Sequence, residues 1–480
     1  MWKRLAPLLV PASLLVLAFA EASHREPVYL SYADAQPVLE ALAEILPEEL
    51  KSEPAGNRPA MWPAWVARRD AEIRRRLEQG EEDSLANLLF FGTSYTRQPR
   101  LTAEFLAREK QQEGQPAEVA STQPSLLERT LAARSEDLMR ALARPGSNER
   151  LLFMRHLLER KGYRLNTPAG RQGVRQYLSS NTARVVEELG RYSDALEAAR
   201  RLGDPTEEFI RRSQLFQDRG ISLDASLLPN FALEESLRAM SARGLLTPGS
   251  VRRVAIIGPG LDFVDKAEGH DFYPPQTIQP FAVVDTLVRL GLSQPGRVEV
   301  STFDISARVN QHMARARLAA RQGRGYVVHL PLDSRVAWTP GVVQYWERFG
   351  DQIGRPATPL AAPPAAGSPK VRAVRFRPAI VARVTPFDLN VVWQHLDLPP
   401  GERFDLVLAT NVFVYYGVLE QSLALINVEH MLKPGGFLLS NNALLELPVA
   451  RLRSVDYHTS VFSDRAGDGE QIVWYRLSPP

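Results

Sequence analysis

A glycine pair follows a strongly apolar run in the second half of the chain, in the stretch VAIIGPGLDF. Gly258 and Gly260 stand where a buried strand would open into a turn, with Asp262 two residues further on. Glycines at such a turn let the backbone approach a ligand closely, and cofactors sit at the ends of parallel strands. A Gly-Pro-Gly turn without a ligand has the same composition, so this stretch alone leaves both interpretations open.

Two carboxylates end later runs of the same kind. Asp304 follows the apolar part of VEVSTFDIS, and a carboxylate there can accept both hydroxyls of a ribose. It can also cap the helix that follows, a role that Ser306 fills equally well. Asp388 in IVARVTPFDLN could accept the exocyclic amine of an adenine while Leu389 packs on the ring, although an ordinary loop aspartate has the same local sequence.

The most specific stretch runs from Phe404 to Asn441 and reads FDLVLATNVFVYYGVLEQSLALINVEHMLKPGGFLLSNN. An apolar strand opens into Asn411, and a helix with one apolar face follows. The segment from Lys433 to Gly436 then turns the chain into a further strand. The pattern predicts a second βαβ unit whose polar strand end lies beside the glycine turn.

Together these stretches resemble the class I S-adenosylmethionine-dependent methyltransferases. The segment 404–441 is most similar to the chemotaxis receptor methyltransferases, and the resemblance covers roughly the last half of the chain. It implies a Rossmann-like α/β domain, a seven-stranded sheet flanked by helices. The reversed last strand would come from the hairpin around the turn RAGDGE near the C-terminus.

The same resemblance implies S-adenosylmethionine as the cofactor. The glycines would face its methionine part, Asp304 would bind the ribose and Asp388 the adenine. Asn411 and Tyr415 (or Tyr416) would lie at the methyl acceptor, as the candidate catalytic residues. The full set predicted to contact the cofactor is Gly258, Gly260, Asp262, Asp304, Asp388, Leu389 and Asn411.

The chain departs from the family pattern at three positions. Ile256 stands where an acidic residue usually precedes the glycine loop, Asp262 replaces the third glycine, and Thr410 replaces the arginine of the chemotaxis enzymes. Residues 24–246 contain no recognisable receptor-binding domain, so receptor glutamate methylation is not supported. The leading hypothesis is methyl transfer to an unknown small-molecule or protein acceptor.

Two other functions stay open beside it. An exported, non-catalytic binding module could use the same fold, and the departures at the glycine loop favour that alternative. An NAD-dependent oxidoreductase is the weakest of the three, because the loop lacks the full G-x-G-x-x-G spacing. Fold alone does not decide among them.

Two halves of different patterning must position these residues. Residues 23–246 repeat apolar side chains at helical spacing and predict a mostly helical N-terminal domain. From residue 247 onward, β-branched runs alternate with amphipathic segments, which indicates a parallel sheet. The predicted strands are 254–257, 298–303, 380–384, 404–409 and 437–440, and the predicted helices between them are 276–290, 306–322 and 419–432. The Pro/Ala-rich segment at about 331–370 is predicted to be a mobile insertion.

Residues 1–22 have the form of a secretory signal peptide, because Lys3 and Arg4 precede an apolar run that ends in small residues. We therefore expect an exported protein, periplasmic or extracellular, with membrane anchoring as the alternative. The absence of cysteine excludes disulfides and thiolate metal sites. A net charge of +3 makes no case for a nucleic-acid partner. The acidic loop at 262–271 is interpreted as solvated charge, so no metal ligand is assigned.

Overall fold

The computed structural model describes residues 26–102, 105, 125–202, 220–264, 269–465 and 467–479. The predicted signal peptide lies outside the described residues, as do Asp265 and Glu268 of the acidic loop. Among the described residues, no helix combines the length and the apolar character needed to cross a membrane.

A seven-stranded sheet forms the centre of the C-terminal half. With strands numbered along the chain, its members are β2 (Arg253–Ile257), β3 (Glu299–Asp304), β7 (Val384–Asp388), β9 (Phe404–Ala409), β10 (Leu432–Ser440), β11 (Leu452–Val461) and β12 (Gly469–Leu477). They lie in the order β11-β12-β10-β9-β2-β3-β7.

The last strand of this sheet is reversed. Strand β12 is antiparallel to both of its neighbours, β10 and β11, whereas β10, β9, β2, β3 and β7 pair in parallel. This is the methyltransferase-like sheet with a reversed last strand that the sequence predicted, so the predicted fold class is confirmed. Because parallel strands bring their carboxyl ends to one edge, the residues that follow β2, β3, β7 and β9 meet there.

Helices cover both faces of the sheet and make up most of the N-terminal half. They are α1 (Tyr32–Ala41), α2 (Glu48–Ser52), α3 (Arg58–Phe91), α4 (Leu126–Ala143), α5 (Glu149–Arg160), α6 (Pro168–Leu202), α7 (Leu228–Ala242), α8 (Gln279–Arg289), α9 (Ala307–Arg321), α10 (Pro340–Arg348), α11 (Pro378–Val381) and α12 (Val418–Met431). The predicted mostly helical N-terminal half is confirmed, and α8, α9 and α12 begin and end within three residues of their predicted bounds.

One predicted strand, residues 380–384, is wrong. Its first residues form the short helix α11, which starts with Pro378 at its first position, where a missing N–H costs nothing. The strand begins only at Val384 and contains Pro386. It lies at the end of the sheet, and an edge strand tolerates proline because one side of it needs no donors.

The predicted mobile insertion at 331–370 also differs from the structure. Strands β4 (Tyr326–Leu332), β6 (Lys370–Phe376) and β5 (Gly354–Ala357) form a three-stranded antiparallel sheet in the order β4-β6-β5. Alternating apolar residues such as Val328 and Val374 are buried against the main body. The Pro/Ala-rich stretch starts in β5 and lies mostly in the loop between β5 and β6.

The helical half packs directly on the sheet domain. Strand β1 (Pro27–Tyr29) pairs antiparallel with β8 (Gln394–Leu396). Trp65 of α3 lies edge-on against Trp393, with ring centroids 5.4 Å apart, a contact worth about 0.5–1.5 kcal/mol beyond its buried area. Two apolar cores contain residues from both sides of the predicted boundary at 246/247. The boundary thus marks a change of sequence pattern and not a gap in packing.

Candidate functional site

A cleft of about 790 Å³ opens at the carboxyl edge of the central strands. The turns after β2, β3, β7 and β9 form one wall, and the segment 221–230 forms the other. Strand β2 has β3 on one side and β9 on the other, so the strand order changes direction at β2. Sheets of α/β proteins bind ligands at such a switch point.

The glycine turn after β2 depends on glycine at both positions. Gly258 and Gly260 have φ values of +63° and +69°, a region that favours glycine. A Cβ on Gly258 would lie 2.7 Å from the side chain of Val412. A Cβ on Gly260 would lie 2.7 Å from the carbonyl oxygen of Leu223. The close approach at Gly260 is therefore made by the protein's own backbone.

That backbone belongs to the segment 220–226, which lies across the glycine turn. The Leu223 carbonyl accepts a hydrogen bond from the Leu261 N–H at 2.7 Å. At its start the segment packs on α3, where a Cβ on Gly80 would lie only 2.0 Å from the Ile221 carbonyl oxygen. Sequence reasoning missed this wall of the cleft. The available signal was Gly80, a glycine inside a helical pattern, which marks a close backbone approach.

Asp304, at the end of β3, presents a buried carboxylate to the cleft and is 5% exposed. The backbone N–H groups of Ser306, at 2.8 Å, and of Gly260 donate to it. Burial raises the pKa of Asp304 to about 7 despite these two donors, and the nearby Asp388 charge adds to the rise. The hydroxyl of Ser306 caps α9 by accepting from the Val309 N–H, so capping is the role of Ser306.

Asp388, at the end of β7, lies opposite Asp304 in the strand register but outside the lining of the cleft. Its Oδ1 accepts from Nη1 of Arg74 on helix α3 at 2.8 Å. The same Arg74 nitrogen donates to the Ile305 carbonyl at 3.3 Å. The structure therefore pairs Asp388 with the helical half, and the next residues, Leu389 and Asn390, line the cleft instead.

Asn390 is fully buried and is held by the same helix. Its Nδ2 donates to Oδ1 of Asp70 at 2.7 Å, and its Oδ1 accepts from the Val392 N–H at 3.1 Å. Asp70 also accepts from the Tyr29 hydroxyl at 3.0 Å and from Nε of Arg74 at 3.3 Å. Helix α3 thus fixes the loop where the sequence placed an adenine contact. A lone carboxylate in a helical pattern gave no signal of this role.

Asp262, the third residue of the predicted glycine-loop set, is also outside the cleft lining. It is buried, and its Oδ2 accepts from the Tyr273 hydroxyl at 2.7 Å and from Nε2 of Gln276 at 3.1 Å. Among the described residues no cluster of side chains could hold a metal ion. The cleft brings together the other predicted site residues, which are Gly258, Gly260, Asp304, Leu389, Asn411 and Tyr415.

Asn411 follows β9 with φ +58°, a conformation that asparagine tolerates better than most residues. Its N–H donates to Oδ1 of Asn441 at 2.8 Å, and Nδ2 of Asn441 donates back to Oδ1 of Asn411 at 2.7 Å. Because a backbone N–H can only donate, it fixes the orientation of the Asn441 amide and, in turn, that of Asn411. The side-chain nitrogen of Asn411, Nδ2, therefore takes no part in these two bonds and is the amide atom that remains for the cleft.

Tyr415 and Asn230 complete the rim. The Tyr415 hydroxyl accepts from the Ser222 N–H at 3.3 Å, and its carbonyl accepts from Nη1 of Arg76 at 2.9 Å. Tyr415 therefore ties the segment 220–226 to the asparagine turn. Asn230 is 3% exposed, and its Oδ1 has no hydrogen-bond partner among the described residues. A buried acceptor without a partner is costly unless a ligand satisfies it.

No protein family model and no curated protein matches the sequence. Solved structures similar to part of the chain include the N-methyltransferase NodS from Bradyrhizobium japonicum WM9, at 11% identity over 52% of this chain and 98% of that chain, with a TM-score of 0.23. The magnesium protoporphyrin IX methyltransferase ChlM from Synechocystis PCC 6803 is 12% identical over 57% of this chain and 85% of that chain, with a TM-score of 0.25. The rRNA methyltransferase aviRa from Streptomyces viridochromogenes is 12% identical over 53% and 86% of the two chains, with a TM-score of 0.25. The fold assignment rests on the strand order described above, since likenesses this distant carry no argument about ligand or acceptor.

Proposed function

We propose that this chain binds S-adenosylmethionine in the cleft and transfers its methyl group to an acceptor. The observation that carries the proposal is the meeting of three features at the carboxyl edge of this sheet. They are the positive-φ turn at Gly258, the buried carboxylate of Asp304 and the strand-end amide of Asn411. A sheet with this order and a reversed last strand is the arrangement that the methyltransferase resemblance implies.

The residues at the cleft fit the proposed cofactor. A carboxylate has about four lone-pair sites, so the two N–H donors at Asp304 leave room for two ribose hydroxyls. Leu389 offers an apolar surface for an adenine ring. The unpartnered Oδ1 of Asn230 is an acceptor suited to an amino group. The cofactor supplies a methyl group activated by a sulfonium, and the remaining work of the site is to bind and align.

Asn411 narrows the class of acceptor. Its amide oxygen already accepts one hydrogen bond from Asn441, whereas its Nδ2 takes no part in that pair, so Nδ2 is the group that we expect to hold the acceptor. An N–H donor holds an oxygen that keeps a lone pair for attack, such as a carboxylate or a hydroxyl. An amine acceptor needs a hydrogen-bond acceptor at this place instead. We therefore favour methyl transfer to oxygen, with alignment in the cleft providing much of the rate.

An exported, non-catalytic binding module is the second candidate. The observation that favours it is the contact of Leu223 with Gly260, because protein backbone takes the close approach that the turn would otherwise offer to a ligand. The signal-peptide pattern of residues 1–22 points the same way, since S-adenosylmethionine is made in the cytosol. Export of this chain remains our proposal under either function.

Calorimetric titration of residues 23–480 with S-adenosylmethionine and S-adenosylhomocysteine tests the first candidate. We expect binding of both in the micromolar range, with transfer then assayed on carboxylate and hydroxyl acceptors. A well-folded sample that binds neither molecule would contradict the proposal. The exported, non-catalytic binding module would then be the remaining candidate function. Loss of binding in Asp304→Ala, with the circular dichroism spectrum unchanged, would assign the signal to this cleft.

A further inference from the structure

The positive charge of this chain is concentrated in one segment. Residues 305–387 contain 13 arginines and lysines but only 3 acidic residues, a net charge of +10 against +3 for the whole chain. Within it, residues 352–387 contain no acidic residue at all. The overall charge therefore conceals a basic region, and such an asymmetry is typical of proteins that bind polyanions.

A groove of about 1400 Å³ lies within this region, on one face of the inserted three-stranded sheet. Strands β4, β5 and β6 contribute His329, Arg355 and Arg375, and the loop after β5 adds Thr358, Pro359 and Leu360 to the lining. The groove is open to solvent and is lined by different residues from the cleft at the carboxyl edge of the main sheet.

Arg355 and Arg375 are directly opposite each other on neighbouring antiparallel strands. Both are exposed, and among the described residues neither has an ion pair or a side-chain hydrogen bond. Like charges at facing positions of a sheet destabilise it. The aliphatic part of the Arg375 side chain packs closely on Gly325, because a Cβ added to Gly325 would lie 2.9 Å from Cγ of Arg375. A bound anion would relieve the repulsion of a pair held in this way.

His329 adds a second, independent polar group to the groove. It is 6% exposed and stacks on Tyr273, with ring centroids 5.4 Å apart and planes at 4°. Its backbone N–H and carbonyl both bond the side chain of Gln276, which fixes its position. Its buried Nδ1 has no hydrogen-bond partner among the described residues. Burial lowers the pKa of His329, so the ring is neutral at pH 7 and can donate without adding charge.

The groove is open to solvent, and its two arginines belong to a segment with a net charge of +10. Six further exposed basic residues of the segment lie outside the groove lining and pair with no carboxylate among the described residues: Arg315, Arg321, Arg324, Lys370, Arg377 and Arg383. A small anion is usually held in an enclosed pocket, whereas a chain of phosphates can follow an open groove and extend to basic residues of the segment beyond it. A flat bilayer surface cannot enter a concave groove. We propose that this groove binds the phosphate backbone of a nucleic-acid strand.

Fluorescence anisotropy of residues 23–480 with a labelled single-stranded 20-mer of mixed sequence tests the site. We expect binding that weakens with salt, linear in a plot of log K against log salt concentration. The double variant Arg355→Gln/Arg375→Gln should lower the magnitude of the slope by about 1.4, which is about 0.7 for each single-strand phosphate contact. Arg140→Gln/Arg155→Gln removes two exposed arginines of the N-terminal helices and should leave the slope unchanged.

Three results would overturn the proposal. They are absence of binding at low salt, an equal loss in the control variant, and stronger binding to phosphatidylglycerol vesicles than to the oligonucleotide. A fourth result, competition by inorganic phosphate at the same phosphate concentration, would also overturn it, because the groove would then be a site for a small anion. The inference does not depend on methyl transfer. Asp304→Ala should bind the oligonucleotide normally, so failure of one proposal is distinguishable from failure of the other.

Discussion

The backbone N–H of Asn411 donates to Oδ1 of Asn441 at an N···O distance of 2.8 Å, and Nδ2 of Asn441 donates back to Oδ1 of Asn411 at 2.7 Å. The pair joins the left-handed turn after β9 to the end of β10, the strand beside it. Nδ2 of Asn441 also donates to Glu470 of β12. Three neighbouring strands thus hold one exposed asparagine at the rim of the cleft.

Replacing Asn441 should destabilise the protein through this turn. Asn441→Ala leaves the Asn411 N–H without its acceptor, and we expect a loss of about 1–2 kcal/mol in the free energy of unfolding. Asn441→Asp restores the acceptor but places a carboxylate beside Glu470, so its loss should be greater at pH 8, where both carboxylates are ionised, than at pH 3, where both are protonated. Urea unfolding measures both, with the exposed Gln471→Ala as the control. Equal stability of Asn441→Ala and the parent protein would contradict the importance of the pair.

Asp304→Ala should weaken the binding of S-adenosylmethionine about 100-fold. Two hydrogen bonds to a carboxylate are worth about 1.5 kcal/mol each, and about 3 kcal/mol corresponds to that factor. Titration calorimetry at pH 8 measures the affinity. Asp464→Ala, an exposed loop substitution, serves as the control and should bind normally. An unchanged dissociation constant in Asp304→Ala would show that the ribose lies elsewhere.

The protonation of Asp304 should couple binding and stability to pH. Its pKa is raised from 3.8 to about 7, so between these values the folded protein holds a proton that the unfolded chain releases. The contribution of this group to stability is therefore full below pH 4 and is lost as pH rises towards 7. Asp304→Asn should be more stable than the parent at pH 8, by about 1–3 kcal/mol, and the difference should shrink as pH falls.

Binding should show the opposite trend. If the carboxylate accepts the ribose hydroxyls, the affinity of the parent protein falls by up to tenfold per pH unit below about 7. Affinity measured between pH 5.5 and 8.5 checks this expectation, with Asp304→Asn as the variant that should lose the pH dependence. A flat profile in the parent protein would separate Asp304 from cofactor binding.

Asp388 and Asn390 should differ in their effects on the cleft. Asp388→Asn removes the charge that pairs with Arg74 outside the cleft, so we expect less than a threefold change in cofactor affinity. Asn390→Ala leaves a buried amide position empty at the cleft wall and removes the donor to Oδ1 of Asp70, so we expect at least a tenfold loss of cofactor affinity. Calorimetry of the two variants compares them directly. A large loss in Asp388→Asn alone would restore the sequence-based assignment of adenine to Asp388.

Gly260→Ala should detach the segment 220–226 from the glycine turn. The new Cβ would meet the Leu223 carbonyl at 2.7 Å and would occupy a φ of +69°. Gly249→Ala is the matched control, because its φ is +72° and nothing lies within 4 Å of its Cβ. Both should lose about 1 kcal/mol for the backbone conformation, and only Gly260→Ala should lose more through the clash. Urea unfolding and limited proteolysis near residue 223 check the difference.

The sequence by itself determined the architecture of the C-terminal half. Short apolar runs such as 406–409, which alternate with amphipathic helical segments, are typical of buried parallel strands, and a parallel sheet then brings Gly258, Asp304 and Asn411 to one edge. Serine at 306 was a correct alternative for the helix cap because capping depends on local spacing alone. These features are encoded within a few residues, which is why patterns detect them.

Only the tertiary structure decided which of the predicted side chains face the cleft. Asp388 bonds Arg74, more than 300 positions earlier in the chain, and Asp262 bonds Tyr273, so both carboxylates leave the predicted site. The wall made by residues 220–226 likewise depends on the backbone of helix α3 approaching at Gly80. Such partners are set by long-range packing. The two residues of each pair are not neighbours in the sequence, so the residues next to either one do not predict the hydrogen bond between them.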